Sequence, residues 1–271
     1  MNAIDKSKAP IGIFDSGSGG FTVAKAIEKL LPNEHLVYFG DTLHFPYGEK
    51  SKEAIVLYST QIAKFLVDAQ HCKMVVIACN SATANALEEV SKAINPITCI
   101  NVIDPVVNFI KQKKLNNIGV IGTRATVNSG IYQHKIQQNM PHAKVQALAT
   151  PLLAPIVEES LANTPLSQAA INHYLSEKTL DNIDSIILAC THYPVLSKEI
   201  QAYYQGRVEV IDTAHIVAQA VAQELKNQHL INLGKDKPNY TFYVSDLTKH
   251  FAENVALFFG KNVPLLETRL A

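Results

Sequence analysis

PIGIFDSGSGG, residues 10–20, joins a short apolar run to a turn of Asp, Ser and Gly that opens into a helical stretch, and this pattern decides the fold. NIGVIGTRAT, residues 117–126, repeats the design. Further apolar runs stand at HLVYFG (35–40), KMVVIA (73–78), ITCINV (97–102), KVQALA (144–149), SIILA (185–189), VEVID (208–212) and TFYVS (241–245). Amphipathic stretches separate several of them, at 23–31, 51–69, 81–94 and 167–180. Continuous apolar runs suit strands covered on both faces, and interleaved helices supply the cover. The class is therefore α/β, with mainly parallel sheets flanked by helices.

An internal echo refines the organisation. IGIF (11–14) matches IGVI (118–121), and VVIACNSAT around Cys79 matches SIILACTHY around Cys190. Gly12 precedes Cys79 by 67 positions, and Gly119 precedes Cys190 by 71. Two similar units in the same internal order predict two pseudosymmetric domains facing each other; chance likeness between buried strands is the alternative. Beyond Asp212 the pattern predicts a helix (213–226), a polar loop (227–239), a strand and a last helix (247–259). This tail is expected to return to the first domain. The expected division is 1–101 with 212–271, and 102–211.

Composition narrows the function. The chain has 271 residues, 47% of them hydrophobic, enough to bury a substantial core. Its 24 basic residues balance 24 acidic ones, which leaves no broad electrostatic footprint for nucleic acid or an anionic membrane. No window approaches the ~20 apolar residues of a membrane span, and MNAIDKSKAP has no apolar signal core. A cytoplasmic location is expected. The four cysteines, at 72, 79, 99 and 190, form no CxxC pair, so free thiols and no metal are expected.

Four strand ends run straight into helix-capping residues: Asp15-Ser16-Gly17, Cys79-Asn80-Ser81, Thr123 to Thr126, and Cys190-Thr191-His192. In parallel α/β domains such ends line the ligand crevice, and helix N-termini there favour anions. A small ligand with more than one carboxylate fits this design. With Arg only at 124, 207 and 269, clamping by guanidinium groups looks secondary. GSGG (17–20) lacks a full phosphate-loop spacing and reads equally as a strand-to-helix turn. Asp15 and Ser16 serve as a turn and a cap or as chemistry; His192 is a hydrogen-bonded structural residue or assists its neighbour.

Cys79 and Cys190 taken singly could be small buried hydrophobes. Their equivalent positions in two facing units would instead bring two thiols to one cleft from opposite sides. Inversion of a stereocentre demands such a pair, one group to remove a proton and the other to return one. Each turnover needs one thiolate and one thiol, so both are expected to titrate near the working pH. His192 could assist Cys190, and Asp15 could stand beside Cys79. Cys72 and Cys99, with no capping residues after them, read as packing.

IFDSGSGG (13–20), DTLHFPYG (41–48), ACNSATA (78–84), GTRAT (122–126), PIVEE (155–159) and ACTHYP (189–194) together resemble the glutamate racemases of the cofactor-independent aspartate/glutamate racemase superfamily. The resemblance implies two pseudosymmetric α/β domains with the active site between them. It also implies interconversion of L- and D-glutamate without cofactor or metal. Cys79 is implied as acid/base on the D-face and Cys190 on the L-face, with Asp15, His192 and Glu158 as auxiliary polar residues and Asp41 as a helper. Substrate contacts are implied for Asp15, Ser16, Pro46, Tyr47, Gly48, Asn80, Ser81, Thr123, Thr126, Thr191 and His192. Ser81 stands where Thr is usual and Ala189 where Gly is common; His192, rather than a carboxylate, favours glutamate over aspartate. The resemblance further implies a homodimer that supplies peptidoglycan synthesis. Three alternatives remain at this point: an aspartate racemase, separable by a substrate panel; a non-catalytic amino-acid binding protein, which would exchange no α-proton; and a pyridoxal-phosphate racemase, which would show a visible absorption band.

Overall fold

The computed structural model describes residues 6–234, 236–261 and 263–270. From the N-terminus the chain forms β1 (Ile11–Asp15), α1 (Phe21–Leu30), β2 (Leu36–Gly40), α2 (Lys52–Lys64), β3 (Met74–Ile77), α3 (Asn80–Ala93), β4 (Thr98–Asn101) and α4 (Asp104–Lys113). It continues through β5 (Asn117–Gly122), α5 (Arg124–Asn128), α6 (Ile131–Asn139), β6 (Lys144–Ala149), α7 (Leu153–Glu158), α8 (Pro165–Leu175), β7 (Ser185–Ala189), α9 (Ser197–Tyr204) and β8 (Glu209–Ile211). The last elements are α10 (Thr213–Asn227), β9 (Tyr240–Val244), α11 (Lys249–Phe259) and β10 (Leu265–Glu267).

The strands make two sheets, ordered β10-β9-β2-β1-β3-β4 and β6-β5-β7-β8, in which every pairing is parallel. The fold is α/β with helix-flanked parallel sheets. The order β2-β1-β3-β4 of the first sheet repeats as β6-β5-β7-β8 in the second. IGIF and IGVI thus occupy equivalent inner strands, and Cys79 and Cys190 follow equivalent neighbours of those strands. Local chemistry starts many of the helices. Ser51, Cys79, Thr123, Thr164, Asp212 and Thr248 cap α2, α3, α5, α8, α10 and α11 with side-chain acceptors.

Beyond β8 the chain rejoins the first sheet. α10 packs on α1, and β9 pairs with β2 from Leu36↔Tyr240 to Gly40↔Val244. An aromatic cluster seals this return: Phe21 of α1 stacks on Tyr38 of β2 at 4.0 Å and meets Phe242 of β9 and Phe259 of α11 edge-on. Each such buried ring stabilises the fold by roughly 1.5–3 kcal/mol.

Three details differ from the sequence pattern. β10 is a three-residue edge strand, too short to leave an apolar run. The stretch 167–180 divides, because Thr164 caps α8 earlier, at Pro165, while α8 stops at Leu175 and a separate 3₁₀ turn covers Lys178–Leu180. The stretch 51–69 begins as α2 and ends in a π turn, Phe65–Ala69.

At the N-terminal ends of β2 and β3, opposite the cleft described below, Lys73 and Glu34 form an ion pair of 2.6 Å with side chains 2% and 1% exposed. Lys73 also donates to the carbonyls of Ser7 and, at 2.8 Å, Leu230. Glu34 accepts from the Asn232 backbone N–H at 2.8 Å. A charge buried this deeply is tolerated because each partner is hydrogen-bonded. Lys73→Met strands the Glu34 carboxylate, and an equilibrium urea titration is expected to show a loss of about 3–5 kcal/mol. An unchanged midpoint would mean that the pair is not holding the 230–232 segment.

Candidate active site

The C-terminal ends of β1 and β3 in the first sheet meet those of β5 and β7 in the second across a cavity of about 240 Å³. Each end delivers polar residues because the strand stops there and a turn or helix begins. Ser16, Pro46, Tyr47, Gly48, Cys79, Asn80, Ser81, Thr123, Thr191, Cys190 and His192 all line the cavity. Asp15, Thr126 and Glu158 do not; they lie behind its wall.

Cys79 is the N-cap of α3, so its sulfur accepts from the Ala82 backbone N–H at 3.4 Å and lies 3.7 Å from Ser16 Oγ. Burial pushes this thiol up to about 12, and the nearby Asp15 carboxylate adds to the effect, while the α3 N–H and Ser16 oppose it. The expectation of titration near neutrality is not met at Cys79, since burial beside an acidic residue outweighs the helix N-terminus. Asp15 is fully buried. Its Oδ1 accepts from Gly17 N at 2.8 Å, and its Oδ2 from Thr191 Oγ1, across the cleft, at 3.2 Å. Burial raises its carboxyl above the usual range against the opposing pull of His192 and these donors.

The Cys190 side is built differently. Its sulfur is 3.7 Å from His192 Nδ1, and His192 Nε2 pairs closely with Glu158 Oε1. Burial alone would lower the imidazole, yet hydrogen bonds to Cys190 and Glu158 outweigh it and hold His192 well above its ordinary range. Burial alone would likewise raise Glu158, but His192, Ser18 and Asn254 hold it below the ordinary carboxylate range. One thiol therefore faces an imidazole that is paired with a carboxylate, and the other lies near a fully buried carboxyl group.

Hydroxyls and amides complete the lining. Ser81 Oγ is 2.9 Å from Thr123 Oγ1 and 3.4 Å from Thr126 Oγ1, a cluster that joins α3 to α5 across the two sheets. Asn80 is 3% exposed; its Oδ1 accepts from Tyr132 OH at 2.8 Å, and its Nδ2 is buried without a partner among the described residues. Asp41 lies outside the lining and anchors the 42–48 loop instead. It accepts from Tyr47 OH at 2.6 Å and from Ser245 Oγ at 2.8 Å. Arg124 reaches the rim, where it pairs with Glu49 at 2.9 Å.

Sequence reading did not find Tyr132, Ser18 or Asn254, which touch site residues 52, 140 and 96 positions away. Nor did it find the apolar wall of Phe45, Leu152, Ala154 and Pro155. Cys72 and Cys99 lie outside the cavity, and Cys72 packs beneath Gly12. Among the described residues no cluster of three His, Cys, Asp or Glu is placed to hold a metal, and no helix is long and apolar enough to cross a membrane.

The Asp/Glu/Hydantoin racemase family model matches residues 11–221. The chain is 37% identical over 268 residues to a glutamate racemase of Syntrophus aciditrophicus, covering 98% of both chains. It is 40% identical over 254 residues to a glutamate racemase of Aquifex aeolicus, covering 93% of this chain and 95% of that one. The crystal structure of glutamate racemase from Francisella tularensis in complex with D-glutamate superposes with a TM-score of 0.92 at 35% identity, covering 97% of this chain and 98% of that one.

Proposed function

The chain belongs to the Asp/Glu/hydantoin racemase family, and on that footing we propose that it interconverts L- and D-glutamate by passing a proton between Cys79 and Cys190. The observation that carries this reading is the meeting of two sulfurs, each from an equivalent strand end of a different sheet, in one small cavity. Such opposition suits removal of the α-proton from one face and delivery to the other.

In the L-to-D direction the Cys190 sulfur takes the α-proton as a thiolate stabilised by the His192 imidazolium. Cys79, whose burial favours the protonated form, gives its proton to the opposite face. The roles exchange in the reverse direction. Charge developing on the substrate is met by fixed donors in a water-poor site, which is the most effective place for them. Asn80 Nδ2, the first-turn N–H groups of α3 and the hydroxyls of Ser81, Thr123 and Thr191 offer donors for carboxylates. Asp15, buried behind Ser16, would act through the groups in front of it by holding Thr191 in place.

The two sheets are proposed as the cores of two domains, 1–101 with 212–271 and 102–211, that close on the substrate. D-Glutamate made in this way would supply peptidoglycan in the cytoplasm, and the family resemblance favours a homodimer, which sedimentation would test.

Glutamate incubated in D₂O tests the activity. Either enantiomer is expected to lose its circular dichroism while the α-position fills with deuterium, with aspartate slower by about 10–200-fold, the scale on which one missing methylene is discriminated. Retained optical activity with a protiated α-carbon would leave only a binding protein, and faster turnover of aspartate would reassign the substrate.

A further inference from the structure

Among the described residues of helix α11, one buried polar side chain is left unused by the motifs and the proposed reaction. Its inner face is Phe251, Val255, Phe258 and Phe259, none more than 7% exposed, and Asn254, at 2%, sits in the middle of that apolar stripe. Leu would continue the stripe, whereas a buried amide costs free energy unless its donors are matched. Asn254 Nδ2 meets Glu158 twice. It donates to Glu158 Oε2 at 2.7 Å and to the Glu158 main-chain carbonyl at 2.9 Å.

The other carboxylate oxygen of Glu158 accepts from Ser18 Oγ at 2.6 Å and from His192 Nε2. Glu158 thus has both oxygens committed, and a carboxylate so placed cannot turn away from the imidazole. Ser18 and Asn254 come from segments attached to the first sheet, while Glu158, His192 and Cys190 belong to the second. The carboxylate is therefore oriented from across the cleft.

We propose that Asn254 is a positioning residue for proton transfer at Cys190, locking Glu158 so that Oε1 faces His192 Nε2 and His192 Nδ1 faces the Cys190 sulfur. The inference rests on the reading of Cys190 as one of the two acid/base groups. It makes the C-terminal helix part of one half-reaction and leaves the Cys79 half-reaction untouched. The lowered proton affinity of Glu158 accords with this, because a carboxylate fed by several donors remains the acceptor that His192 requires.

Full-length Asn254→Leu should still fold, since the new side chain continues an apolar face, but with a lowered thermal midpoint because Glu158 loses two donors. Its kcat is expected to fall about tenfold, the scale of one lost hydrogen bond to a charged group, with KM changed less than about twofold. The decisive readout is the primary isotope effect on kcat/KM with [2-²H]-L- and [2-²H]-D-glutamate in H₂O. Slowing only the Cys190 step raises the effect for the enantiomer that gives its proton to Cys190. It lowers the effect for the other, whose slow step becomes reprotonation by an unlabelled thiol. In a Glu158→Gln background Asn254→Leu should add less than about twofold.

Ser18→Ala, which removes a donor from the other oxygen, should shift the isotope effects in the same opposed sense and serves if Asn254→Leu misfolds. Equal isotope effects for both enantiomers, or losses that multiply with Glu158→Gln, would overturn the positioning role. Failure of the two-thiol reading would look different: Cys190→Ser itself would racemise glutamate at the parental rate.

Discussion

Cys79→Ser and Cys190→Ser are each expected to lower racemisation of glutamate by about 10³-fold or more, with thermal midpoints close to that of the parent. A positioned proton-transfer group is worth about 10²–10⁴-fold, and a hydroxyl is a far poorer acid and base than a thiol, so the upper part of that range applies. The substitution exchanges only sulfur for oxygen at sites 5% and 6% exposed, which keeps the packing. The residual chemistry should be one-sided. Cys79→Ser keeps the thiol paired with His192 and should still exchange the α-proton of L-glutamate slowly, with retention. Cys190→Ser should do the same only with D-glutamate. Circular dichroism and proton NMR in D₂O read both quantities, and parental activity in either variant would remove the assigned roles.

Gly19→Ala is expected to lower kcat/KM by about 10²-fold, the cost of displacing catalytic groups by roughly an ångström. A Cβ at residue 19 would stand 2.4 Å from Thr191 Oγ1 and 2.7 Å from both Cε1 and Nδ1 of His192. Neither neighbour can yield without loss. Thr191 donates to Asp15 at 3.2 Å, and His192 is held between Glu158 and Cys190. The added methyl must therefore push the 190–192 turn out of register with the first sheet. Overpacking of this kind costs about 1–3 kcal/mol, so a chemical denaturation curve should show a folded but weakened protein. Parental kinetics in Gly19→Ala would show that the turn has room that its hydrogen bonds do not suggest.

Much of the architecture was legible because its signals are local. A continuous apolar run followed by a capping residue, as at Ile11–Asp15 and Met74–Cys79, identifies a strand, its end and the helix beyond. The IGIF/IGVI and ACNS/ACTH echoes put the two thiols in equivalent settings, and the sheets repeat that equivalence. Asp15, Glu158 and Thr126 were identified by motif, but their places behind the cavity wall were not. Nor did any local feature mark Asn254 as more than one polar residue in an apolar helix, or Gly19 as a point of close approach to the 190–192 turn.

By itself the amino-acid sequence determined the alternation of strands and helices, the repeated order of motifs along the chain and the placing of a cysteine at the end of each of two similar strands. These follow from side-chain periodicity and backbone capping, which act over a few residues. Only the tertiary structure decided which thiol faces the imidazole and which lies near an acidic group, which carboxylates lie behind the wall, and which amide donates to Glu158. Proton affinity and hydrogen-bond partnership depend on burial and on distances between groups that the chain separates by scores of residues, and such distances exist only once the two sheets have come together.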